Sequence, residues 1–314
     1  MSETLHFGPY TVELARPDKV LFPDVGVTKG DLVDHYRAVA SAMLPYLDGR
    51  PVVMQRFPDG IGAEGFYQKD APDYFPAWIP RVTVRKREGG TVDHVLCRNA
   101  ATLAYLAGQG VITPHVWLSR ADDLEHPDRL IFDLDPPDHD FELVRHAARS
   151  LRALLGELGL GAWPLATGGR GLHLVIPLDR SSDFVRTRDF ARRTAALLAA
   201  REPGRLTTET RKVARRGRLF LDYLRNGFAQ TAVPPFAVRA RPGAPVAVPL
   251  DWDDIADPGI RGNAFTTRNV LERLDRKGDP WKGMARHSRS LEGPRARLAA
   301  LEREEGSAGG GGEA

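Results

Sequence analysis

The sequence predicts an α+β protein in which strands and helices alternate along a chain of 314 residues. Three observations predict it. Short runs rich in Val, Ile and Phe recur; longer segments carry apolar residues at helical spacing behind Thr or Asp caps; Gly and Pro separate one from the next. A chain this long buries a large core, as one domain or two closely packed ones, without disulfides.

The first helix signal is Thr28 with Asp31 three residues on and Leu32, Tyr36, Val39 and Met43 along one face; it is expected to end near Pro45. RPVVMQRFP reads as a strand, and PDGIGAEGFYQKDAPDYFPAWIP as a long irregular surface stretch of the kind that often carries function. A helix around Arg98 to Gln109 leads into VITPHVWLSR. RLIFDLD is a strand with Ile131, Asp133 and Asp135 on one face and Leu130, Phe132 and Leu134 on the other. The helix behind Asp140 repeats Phe141, Val144, Ala148, Leu151 and Leu155, a stripe that packs on the sheet. A Gly-rich turn and strand follow in ATGGRGLHLVIP, then a helix from about Asp183 to Ala200 and a strand in RLFLDYL. The prolines of VPPFAVRARPGAPVAVPLDW predict extended, edge-like chain, and TTRNVLERLDRKGDPW predicts a late helix with its stop signal. The closing GSAGGGGEA is low-complexity and is expected to be disordered.

Forty-four basic against 41 acidic residues leave a net charge of +3, too small for the whole-molecule field to argue for nucleic acid. Two local clusters stand out: Arg205, Arg211, Lys212, Arg215, Arg216 and Arg218 around Glu209, and Arg81, Arg85, Lys86 and Arg87. Taken alone, each reads as solvated surface. The single Cys97 excludes an intramolecular disulfide and a cysteine-built zinc site, which favours a reducing, cytoplasmic setting. There is no signal-peptide pattern and no apolar run of membrane length, so a soluble protein without a membrane partner is expected.

Three segments carry chemistry. In Asp133-Leu134-Asp135-Pro136-Pro137, two carboxylates leave the same side of a strand end and can share hard divalent cations. A bare D-x-D is more often a cap or salt bridge, so the other two segments matter. In Thr167-Gly168-Gly169-Arg170-Gly171-Leu172-His173, the glycines bring backbone N–H groups close to phosphate oxygens while Arg170 and His173 add donors; an ordinary Gly-rich turn explains that segment equally well. In Leu219-Phe220-Leu221-Asp222-Tyr223-Leu224, one carboxylate interrupts an apolar strand and needs a partner, either an arginine or a metal shared with Asp133 and Asp135.

The order DLDP, TGGRGLH and FLDYLRN resembles the three motifs of the archaeo-eukaryotic primase superfamily, in the wording of the polymerase domain of bacterial ligase D. RPDKVLFPDVGVTKGDL, GFYQK, HVWLSR, GGRGLHLVIP and VRARPGAPVAVPL extend the likeness over nearly the whole chain. Thr167 departs from the family's usual Ser while keeping the hydroxyl, and ITPHVW departs from its Glu-Leu-His-Pro-Trp wording around His115. The resemblance implies a primase-polymerase fold with antiparallel or mixed central sheets flanked by helices. It implies a single domain over 1–300, with an N-terminal αβ unit over about 1–110 and catalytic motifs over about 111–260, then a disordered tail over 305–314.

By the same resemblance, Asp133, Asp135 and Asp222 are the metal triad, holding two manganese or magnesium ions. His115, Thr167, Gly168, Arg170, His173, Arg225 and Arg239 line the pocket for a ribo- or deoxynucleoside triphosphate. Lys19 and Lys29 hold the 5′-phosphate of gapped or broken DNA, and Phe66 and Tyr67 stack on the template near Lys69. The implied activity is nucleotide addition to primer 3′ ends in bacterial end joining, as a stand-alone module beside Ku and a separate ligase. Two other classes share parts of the pattern. A metal-dependent nucleotide-sugar transferase also uses D-x-D but has no need of the two lysines and the aromatic pair. An inactive DNA-end scaffold would keep the fold without needing all three acids.

Overall fold

The computed structural model describes residues 2–86, 88–138 and 140–309. The chain opens with two hairpins, β1 (Ser2–Phe7) with β2 (Tyr10–Ala15) and β3 (Val20–Phe22) with β4 (Val27–Thr28). Helix α1 (Lys29–Leu47) starts where the sequence places it, because Thr28 and Asp31 each accept the other's backbone N–H in a capping box. It does not stop at Pro45. That residue sits in the last turn, where one missing donor is tolerated, and buried Tyr46 and Leu47 carry the helix on.

The first large sheet takes β5 (Pro51–Arg56), β6 (Phe66–Gln68), β7 (Arg81–Arg85), β8 (Thr91–Leu96) and, after α2 (Ala100–Gly108), β9 (Val111–Trp117). The stretch expected to be irregular therefore contains a strand: Phe66 and Tyr67 pair with Arg56 and Gln55 of β5. Because β9 pairs with β5, this sheet runs past residue 110. Arg87, in the basic run after β7, lies outside the described residues.

The second sheet holds β10 (Arg129–Asp135), β11 (Trp163–Ala166), β12 (Leu172–Pro177), β13 (Leu206–Thr207), β14 (Leu219–Asp222) and, beyond β15 (Thr231–Ala232) of the first sheet, β16 (Val248–Pro249). Its order is β13-β14-β10-β12-β11-β16, antiparallel except for the β13–β14 pair. Helices α3 (Phe141–Glu157) and α4 (Phe184–Arg201) begin on the caps Asp140 and Asp183 and pack on it, leaving the opposite face for the acids.

Strand β14 is shorter than RLFLDYL predicts. The Asp222 carboxylate accepts the Leu224 N–H at 2.7 Å, which turns the chain into a 3₁₀ turn at Leu224–Asn226. After a four-residue helix α5 (Lys212–Arg215) in the basic segment, the later helices are α6 (Trp252–Ala256), α7 (Val270–Lys277) and α8 (Glu292–Gly309). The tail expected to be disordered from 305 is thus helical to Gly309, because Glu302 and Glu305 pair with Arg193 and Arg201 of α4; residues 310–314 lie outside those described. Among the described residues no helix is long and apolar enough to cross a membrane.

Candidate active site

Strand β10 is the axis of the site. It pairs with β14 so that Asp133 faces Asp222, and with β12 so that Asp133 faces His173. Directly opposed residues share a sheet face, so one row crosses three strands as Asp222, Asp133, His173, with Asp135 two residues along β10 on the same side. Pro136 then ends the strand. Sheet register puts the three acids on one face, which motif spacing does not reveal.

Asp133 is 5 % exposed, and its Oδ2 accepts from Arg225 Nε at 3.0 Å with His173 Nε2 at 3.6 Å. Burial opposes its charge, but His173 and Arg225 outweigh it and hold the carboxyl well below the usual range. Asp135 and Asp222 move the other way. Burial, with Asp133 as a neighbouring charge, raises both. Among the described residues no three His, Cys, Asp or Glu side chains close on one point, since Asp133 is drawn to Arg225 instead. Asp222 makes no salt bridge among the described residues and lines an open cavity, so its carboxylate can be reached.

That cavity, about 320 Å³, is lined by Asp133, Asp135, Arg170, Lys212, Arg215 and Asp222. A smaller one of about 90 Å³ shares Asp133, Asp135 and Arg170 and adds His115, His173, Arg225 and Arg239. A larger hollow of about 660 Å³ behind α1, against Tyr46 and Arg129, holds none of the predicted site residues. His115 reaches the site from β9. Burial first, then Arg239, Arg225 and His173, press its pKa down to about 3, so it is a neutral imidazole at working pH. By donor type, carboxylate oxygens and imidazole nitrogens such as these suit hard or borderline divalent cations.

In the glycine turn, two backbone donors are taken up within the fold. Gly168 N–H donates to Gly262 O at 2.8 Å and Gly169 N–H to Thr167 Oγ1 at 3.2 Å, so these donors hold the loop and are not free for phosphate. Thr167 Oγ1 in turn donates to Gly171 O at 3.0 Å, and its own carbonyl accepts from Arg239 at 2.6 Å. Gly168 sits at φ +66°, and a Cβ there would lie 2.7 Å from Arg239 Cγ. The charged groups left facing the cavity are Arg170, exposed at the loop tip, and Arg225, Arg239 and Arg241 around it.

The remaining predicted residues fall in two groups, one around the N-terminal hairpins and one on β6 and just after it. Lys19 pairs with Asp59, while Lys29 is buried and donates to Ala15 O. Burial first, then Arg16 and Lys19, lower the Lys29 pKa. Phe66 and Tyr67 are 47 % and 61 % exposed, unlike core aromatics. The Tyr67 ring lies 5.8 Å from His115, Phe66 lies under Arg56 at 5.6 Å, and Lys69 lines a separate hollow beside Trp117. Lys212 and Arg215, which sequence treats as solvated charge, stand at the cavity wall, where Arg215 stacks on Phe220 at 4.3 Å.

Residues 28–281 match the family model for the LigD primase-polymerase domain. The chain belongs to the LigD primase-polymerase family. It is 36 % identical over 271 residues to the multifunctional non-homologous end joining protein LigD of Mycolicibacterium smegmatis, covering 85 % of this chain and 35 % of that protein. To the bifunctional non-homologous end joining protein LigD of Bacillus subtilis it is 31 % identical over 266 residues, covering 84 % and 42 %. The chain therefore spans about a third to two fifths of these relatives. Among solved structures, the polymerase domain of Mycobacterium tuberculosis ligase D in complex with DNA superposes with a TM-score of 0.82 at 32 % identity, covering 88 % of this chain and 98 % of that one. Membership accounts for the α+β fold.

Proposed function

We propose that this chain is a primase-type nucleotidyltransferase that extends primer 3′ ends across short gaps and at broken DNA ends, with Asp133, Asp135 and Asp222 as its metal-binding acids. The supporting observation is the cross-strand row Asp222, Asp133, His173, with Asp135 beside it, in a cavity where Arg170, Lys212 and Arg215 face the three acids. Asp135 and Asp222, raised by burial and by the neighbouring charge of Asp133, fit groups that await a cation. Two divalent ions bound there would favour ionisation of the primer 3′-hydroxyl and neutralise the triphosphate. Manganese suits the set because it accepts imidazole as well as carboxylate, and His115 stands near in neutral form.

The chain's own groups do the rest. Arg170, Arg225 and Arg239 neutralise and orient the phosphates, so that the 3′-hydroxyl attacks the α-phosphorus as pyrophosphate leaves. Lys19 and Lys29 take the 5′-phosphate at the far side of a gap. Tyr67, with Phe66 and Lys69, forms a base-stacking platform that is sequence-tolerant because every base has a π-face. The relatives are named for non-homologous end joining, and we place this chain, as one module over 1–300, in the same process, beside a Ku-like end-binder and a ligase active on the same ends.

The test is Asp222→Asn, which keeps an oxygen for the Leu224 N–H and removes the charge. Primer extension on gapped DNA with manganese is expected to fall at least about 100-fold, beyond the loss typical of an outer-shell change, while DNA binding stays within about twofold. Near-normal extension by this variant would refute the assignment.

A further inference from the structure

The sheet face that carries His115 continues into a second hollow. Trp117 follows two residues along β9 on the same side, about 6–7 Å further on. The hollow beyond it measures about 260 Å³ and is lined by Lys69, Val84, Arg85, Lys86, Trp117 and Phe228. Phe228 is half-buried. The Trp117 ring stands edge-on behind it, centroids 5.2 Å apart at 77°, and His94 lies 5.4 Å from Trp117 on another side. Trp117 is 2 % exposed, yet its indole N–H has no hydrogen-bond partner among the described residues, where buried indoles ordinarily find one. Lys69, Arg85 and Lys86 border the hollow with no ion pair among the described residues. Phe228 follows Arg225 by three residues, so a single loop joins the nucleotide cavity to this hollow.

An aromatic wall under unpaired cations fits a flat, weakly polar group carried on a phosphate. The volume lies just under that of pockets for whole drug-sized ligands and suits one base. We propose that the hollow receives one unpaired nucleobase of the template strand, turned out of the stack next to the templating position, with Lys69, Arg85 and Lys86 on its phosphate. The assignment rests on the polymerase reading above. It gives the template strand a bend at the site, because one base leaves the platform at Tyr67 while its neighbour stays.

Binding is measured on primed DNA with an unpaired template segment, carrying an abasic residue at each of the first three unpaired positions in turn. Wild type is expected to lose roughly tenfold in affinity at one position and little at the other two. Val84→Trp, which fills the hollow, and Phe228→Leu, which removes its aromatic wall, are each expected to bind intact DNA roughly tenfold more weakly and to lose nothing further on the abasic series. A flat abasic scan in wild type, or the same penalty in wild type and in both variants, overturns the proposal. Filling of a one-nucleotide gap by wild type is run alongside. Success there with a flat scan removes only the hollow, whereas failure removes the polymerase reading as well.

Discussion

Asn226 shows how one side chain can finish a strand pair that the backbone abandons. Once β14 turns away at Asp222, the Asn226 amide accepts from Ile131 N–H at 2.8 Å and donates to Ile131 O at 2.7 Å, replacing the peptide that a longer strand would have supplied. It is fully buried. Asn226→Ala strands both groups of Ile131, and is expected to lower unfolding free energy by roughly 2–4 kcal/mol in urea titration and to reduce extension through a shifted Asp133. Arg225, next to it, does a different job. With His173 it holds Asp133 ionised, while burial and that charge raise the proton affinity of Asp135 and Asp222.

At the scale of elements, the turn between β11 and β12 works by close approach. A Cβ on Gly171 would lie 2.1 Å from Leu134 O and 2.6 Å from Asp135 Oδ1, and one on Gly262 would lie 2.6 Å from Gly171 O. Gly171→Ala must push β10 away at the end that carries Asp135. Loss of about 1–3 kcal/mol in stability and a larger fall in primer extension are expected, the first from thermal melts and the second from the gap-filling assay. Strand alternation in RLIFDLD already puts Asp133 and Asp135 on one face, and the caps Thr28 and Asp140 are legible because capping is local. The place of Asp222 opposite Asp133 was not derivable from alternation, since register is decided between strands, and only family likeness supplied it. Gly262 and Lys212 escaped for the same reason: their contacts arise when distant chain folds back onto the loop and cavity. The end of β14 was missed because a side chain, not a proline or glycine, turns it.

Across the whole molecule, α1 ties the two halves together. Tyr36 donates to Ile112 O at 2.5 Å and accepts from Val238 N–H at 3.1 Å, while His35 Nε2 donates to Phe236 O at 3.0 Å. Burial lowers the His35 pKa to about 4 despite that bond. A ring neutral in the fold but protonated in the unfolded chain stabilises fully above about pH 6.5, and its contribution drains away as pH falls toward 4. The shift corresponds to about 3 kcal/mol, so stability measured at pH 7 and pH 4.5 is expected to drop more for wild type than for His35→Gln, which keeps a donor for Phe236. The row across β14, β10 and β12 carries a last consequence. Sliding β14 by one residue would turn Asp222 into the apolar layer and bring Leu221 out to the cleft. A slipped register would therefore carry a stranded buried charge, and that cost helps hold the native one.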